Sequence, residues 1–78
     1  MDYKSLMQQA ISLAKEAATK GDVPVGALVV DDAGTIIGTG ANLREQDNDP
    51  TAHAEIVAIR NAAKKKGSYR LDELTMVV

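Results

Sequence analysis

Val25-Gly26-Ala27-Leu28-Val29-Val30 contains no polar side chain, and half of its residues are β-branched. A strand exposed on one face alternates apolar and polar residues. An unbroken apolar run of this length instead marks a strand covered on both faces. The reading outward from it is therefore an α/β arrangement with layers on either side of a sheet. Asp31-Asp32-Ala33-Gly34 has the chemistry of a turn, and residues 35–41 supply a second short strand. So brief a link predicts an antiparallel hairpin. Gly38 and Gly40 interrupt the second strand and predict a bulge or the close approach of another backbone.

Upstream, Leu6, Ala10, Leu13, Ala14 and Ala17 recur at helical spacing, with Met7 and Ile11 beside them. Asp2 or Ser5 is the expected cap, and Lys20-Gly21 the expected stop. The alanines on the inner face predict close packing on the sheet. Downstream, residues 42–48 form a polar loop, and Asp49-Pro50 reads as a helix start, with Asp as N-cap and Pro at the first helical position. Ala52, Ile56, Ile59 and Ala63 mark its expected buried face, and the helix should run to about Lys66 before Gly67 ends it. Residues 74–78 read as a third strand. A helix between the second and third strands favours a crossover and a parallel pairing, so the expected sheet is mixed and three-stranded.

The chain has 78 residues, enough for one domain at most and for only marginal stability alone. It has no cysteine, which excludes disulfides, thiolate metal ligands and a cysteine nucleophile. A net charge of −2 gives no general attraction to nucleic acid. Lys64, Lys65 and Lys66 fall at a helix end and read as a solvated run. No apolar run approaches a membrane span and no signal peptide is visible, so the cytoplasm is the default compartment.

His53 is the only histidine, and Glu55 lies two residues on. An ideal helix separates such positions by about 200°. In a first turn, however, both side chains can project past the helix end, where free N–H groups and the positive end of the dipole favour negative charge. A neutral imidazole is a good zinc ligand, and an unligated carboxylate nearby can carry protons. On its own the pair is a weak signal, since a lone histidine at a helix start is usually a surface or capping residue.

Its surroundings are more specific. Asp49-Pro50-Thr51-Ala52-His53-Ala54-Glu55, followed by Ile56 and Ala58-Ile59-Arg60, resembles the first zinc-site motif of the cytidine and nucleobase deaminase superfamily. Gly21-Asp22-Val23-Pro24-Val25-Gly26-Ala27 resembles the segment that lines the base pocket in bacterial tRNA adenosine deaminases, and Asn42 stands eleven residues before His53, where that family keeps an asparagine. The resemblance runs from Leu6 to Val78. It implies a cytidine-deaminase-like fold, present in part as helix-strand-strand-helix-strand. It also implies zinc as cofactor, with His53 as a ligand and Glu55 as the catalytic proton shuttle. Asn42 would read the base, Val23 and Pro24 would wall its ring, and Ala54 would belong to the same substrate site.

The family's second motif, Pro-Cys-x-x-Cys, supplies two further zinc ligands. Residues 1–78 therefore read as the N-terminal part of a single deaminase domain, ending before that motif and expected to be inactive alone. The implied reaction is hydrolytic deamination of adenosine to inosine in the tRNA anticodon loop. The alternatives are deamination of guanine or another free base or nucleoside, or, in a different class, a non-catalytic fragment or half of a split protein acting as an assembly module. The resemblance also implies a homodimer in the complete protein.

Overall fold

In the computed structural model, which describes residues 1–78, the apolar run becomes β1 (Gly26–Val30), and all five of its residues are buried. Their side chains alternate between two cores, as strand geometry requires. Leu28 and Val30 pack with Leu6, Ala10 and Val77 on one face; Ala27 and Val29 pack with Ala54, Ala58 and Ala62 on the other. The two helices, α1 (Tyr3–Thr19) and α2 (Ala54–Lys66), thus cover opposite faces of the sheet. The doubly covered strand expected from the sequence is present. No helix is long and apolar enough to cross a membrane.

Helix α1 begins where Asp2 accepts a hydrogen bond from the Ser5 amide at 3.1 Å, so Asp2 is the cap. It ends in a Schellman arrangement: Gly21 at φ 84° lets its N–H donate to Ala18 O and the Asp22 N–H donate to Ala17 O. The inner alanines permit close packing, since a side chain at Gly26 would strike Leu13 and the backbone of α1.

Strand β2 (Ile36–Ala41) pairs antiparallel with β1 through the expected hairpin, and the register shifts between Val29 and Val30. Both readings of the glycines hold. The register shift supplies the irregularity, and the backbone of α2 lies directly on Gly38 and Gly40. A Cβ at Gly38 would stand 2.5 Å from Ala58 O, and one at Gly40 would stand 2.5 Å from Ala58 N.

Strand β3 (Thr75–Val77) corrects the expectation of a mixed sheet. The order is β2-β1-β3, and β3 pairs antiparallel with β1, so every ladder is antiparallel. The crossover through α2 does bring β3 back in the direction of β2, but β1 lies between them. The parallel relation is one of direction and not of pairing.

Two expectations for α2 also change. The Asp49 carboxylate accepts from the Thr51 amide at 2.8 Å and from its hydroxyl at 2.7 Å, and Ala52 N donates to Asp49 O. Asp49-Pro50 is thereby spent on a turn, and the helical backbone begins after His53, an extended N-cap with φ −66° and ψ 149°. The buried stripe is Ala54, Ala58 and Ala62, whereas Ile56 and Ile59 are exposed and Ala63 is half-buried. The sheet presents glycine at the contact, and only alanine fits the resulting separation. Ala52 is buried as expected, though ahead of the helix. The helix ends on Gly67, at φ 70°.

Candidate functional site

The site is built where β2 ends and α2 begins. Asn42, the residue after β2, is 3% exposed, and its Oδ1 accepts from Ala54 N at 2.8 Å. Helix α2 needs such a partner, because its own N-cap, His53, makes no side-chain capping bond. A residue eleven positions earlier thus performs the capping. Its Nδ2 makes no hydrogen bond within the chain and is not sealed from solvent. Asn42 therefore joins the helix start through its acceptor and leaves its donor free.

The borrowed cap frees His53. Its imidazole is exposed and unbonded, while its carbonyl accepts the first helical bond from Val57 N at 3.0 Å. Glu55 is the acid of the first turn, half-buried and without a hydrogen bond or ion pair. A free imidazole, a free carboxylate, a free amide donor and the N-terminal end of α2 thus share one locality. That combination can bind a polar heterocycle and move a proton.

The approach to His53 is braced. Asp49 holds Thr51 as described, and Arg60, one and a half turns into α2, donates to Thr51 Oγ1 at 3.4 Å and stands 3.9 Å from the Asp49 carboxylate. The Thr51 hydroxyl, then the Thr51 amide, holds the Asp49 carboxyl below its usual range, with burial opposing and Arg60 adding a smaller pull.

Val23 and Pro24 are exposed. Pro24 borders a groove of about 200 Å³ on the α1 side, with Met7, Ile11 and Val78, and neither His53 nor Glu55 lines it. Their link to Asn42 runs through the backbone: Asn42 N donates to Val25 O at 3.2 Å.

Sequence reasoning quoted Asp22 within the segment that resembles the pocket lining but gave it no role. It is 6% exposed, and its carboxylate accepts from Glu45 N at 2.8 Å, Gln46 Nε2 at 2.6 Å and Gln46 N at 3.4 Å. The Glu45 amide chiefly holds its carboxyl below the usual range, against the effect of burial. The signal available was a lone carboxylate entering an apolar strand, but no spacing rule connects position 22 with positions 45 and 46.

A catalytic zinc needs about three protein ligands and an open position. No three histidine, cysteine, aspartate or glutamate side chains in this fold gather to hold a metal ion. His53 is one suitable donor, so residues 1–78 alone do not fit a zinc centre.

Known proteins share the sequence and the fold of this chain. The family described as "Cytidine and deoxycytidylate deaminase zinc-binding region" matches residues 1–78. The chain is 51% identical over 75 residues to a tRNA-specific adenosine deaminase of Haemophilus influenzae, covering 96% of this chain and 43% of that protein. It superposes with TM-score 0.93 and 36% identity on a structure from a study of A-to-I editing by tRNA:A34 deaminases at the wobble position of transfer RNA, covering 97% of this chain and 58% of that one. Against guanine deaminase from Bacillus subtilis the TM-score is 0.89 at 43% identity, covering 97% and 48%. The chain thus spans about half the length of the relatives it matches. Matched by that family over residues 1–78 and sharing the fold of these deaminase structures, the chain belongs to the cytidine and deoxycytidylate deaminase zinc-binding family.

Proposed function

We propose that these residues form part of the active site of a zinc-dependent hydrolase that deaminates adenosine to inosine in the tRNA anticodon loop. One observation carries the reading: Asn42 caps α2 in place of His53, which leaves the imidazole, the Glu55 carboxylate and the Asn42 Nδ2 all unengaged at one helix end. The 51% identity to a tRNA-specific adenosine deaminase supports the substrate.

In this reading His53 is one zinc ligand, and the others come from sequence outside these 78 residues, in keeping with relatives of about twice the length. The metal supplies Lewis acidity when bound. Asn42 donates to the base, and Ala54 fixes the cap that orients it. Val23 and Pro24 face the ring from the segment tied to Asn42 through Val25. Glu55 takes a proton from the attacking water and returns it to the base; water adds at the amino-bearing carbon, ammonia leaves and the carbonyl of inosine remains. Residues 1–78 alone would be inactive. The protein would work in the cytoplasm, where its tRNA is, and as a homodimer, as the family resemblance implies.

The likeness to guanine deaminase at TM-score 0.89 favours a second reading, a free-base deaminase. Incubating the full-length protein with an adenosine-bearing anticodon stem-loop and, separately, with guanine decides between them. Inosine formation is the expected result. Turnover of guanine alone would transfer the site to the second reading, and turnover of neither would leave a non-catalytic assembly module.

A further inference from the structure

Asp22 has no part in the chemistry above, yet it is the most heavily bonded carboxylate of the chain, with three donors on it. A buried carboxylate is costly unless it is fully hydrogen-bonded, and an apolar residue would fill the same space without that cost. Its backbone is fixed independently, because its N–H closes the Schellman end of α1 on Ala17 O at 3.0 Å. The carboxylate is therefore a rigid point from which the loop after β2 is held. From Gln46 the contacts run on toward the site. Gln46 Nε2 also reaches Asn42 O at 3.4 Å, and Asn42 N returns to Val25 O at 3.2 Å. Asp22, Gln46, Asn42 and Val25 close a ring around the two segments assigned to the base.

We propose that Asp22 is a positioning residue: by clamping Glu45 and Gln46 it fixes the Asn42 loop relative to Val23-Pro24, and so sets how tightly the site takes its purine. This rests on the deaminase reading. Asp22 touches no reacting atom, so its loss should raise KM and spare kcat. A merely structural tie would leave both unchanged once the protein is folded.

The test uses the full-length protein with two variants. Asp22→Asn keeps an acceptor for Glu45 N but meets the Gln46 side-chain amide with a second donor; Gln46→Ala cuts the link at an exposed position and leaves Asp22 its two backbone donors, Glu45 N and Gln46 N. For Asp22→Asn, hydrogen exchange at the Glu45 and Gln46 amides should rise about five- to tenfold, the size of exchanging a charged acceptor for a neutral one. In both variants KM for the preferred purine substrate should rise about tenfold, with kcat within about twofold of wild type. Unchanged exchange in Asp22→Asn would overturn the clamp. Unchanged KM in both variants, or a fall in kcat at constant KM, would overturn the link to substrate. Those results require an active wild type. A wild type inactive on every purine tested would instead overturn the deaminase reading, and the pocket role of Asp22 with it.

Discussion

Asn42 uses the two ends of one amide differently, and substitution can separate them. Asn42→Ala leaves the Ala54 N–H buried without a partner, which should cost about 1–3 kcal/mol in urea denaturation. Asn42→Asp retains an acceptor beside the positive end of α2 and should recover most of that loss. Both remove the free donor, so both should raise KM in the full-length protein. Equal stability of the two variants would show that the cap is unimportant; a KM unchanged in Asn42→Asp would remove the donor from recognition. His53 and Glu55 separate in the same way. Glu55→Gln should lower turnover by about 10²–10⁴-fold while zinc content stays stoichiometric. His53→Ala should lower zinc content and thermal stability together. Zinc lost from Glu55→Gln would make Glu55 a ligand and not a proton carrier. The motif marked both residues as candidates in the sequence. The capping of α2 by Asn42 was not, because it joins residues twelve apart through a fold that local pattern does not encode.

At the scale of elements, α2 shows how a correct assignment conceals a wrong face. Periodicity favoured the large apolar side chains, Ile56 and Ile59, over the alanines. The sheet beneath reverses that preference, because Gly38 and Gly40 bring backbone against backbone and leave space for Ala54, Ala58 and Ala62 only. Gly38→Ala should therefore cost at least about 1–3 kcal/mol, since its Cβ would meet Ala58 O at 2.5 Å and Ala62 N at 2.7 Å, and backbone atoms cannot swing aside. Gly67→Ala is the control: nothing lies near the added methyl, and the cost is the positive φ alone, about 1–2 kcal/mol. Midpoints in urea at a common slope would compare them, and a smaller loss at Gly38 than at Gly67 would mean that the helix yields. The start of α2 was misread for a related reason. Asp49-Pro50 opens a helix only if the Asp49 side chain is free to cap it, and Thr51 has taken it.

Across the whole molecule, β1 was legible because double burial writes itself into one short run, whereas the place of β3 was not. Strand order depends on which edge of β1 remains open after the hairpin forms, and residues 74–78 carry no mark of that choice. The two clamped carboxylates of the site are likewise products of the assembled fold, and they predict how it responds to acid. Asp22 and Asp49 each have a folded pKa below the ordinary 3.8, through bonds from Glu45 and Gln46 and from Thr51 respectively. A lowered folded pKa means that the unfolded chain takes up protons first. Their stabilisation is complete above the ordinary value and is lost as pH falls through the folded values. Because both tie down the loop between β2 and α2, acid should loosen the site before the core. Below pH 3.8, exchange at the amides of Glu45, Gln46 and Thr51 should quicken relative to those of β1, where burial and not charge holds the strand. Asp22→Asn should remove the acid dependence at Glu45 and Gln46 and keep it at Thr51. Uniform quickening of loop and strand would instead mean that acid opens loop and core together, and would overturn this order of loosening.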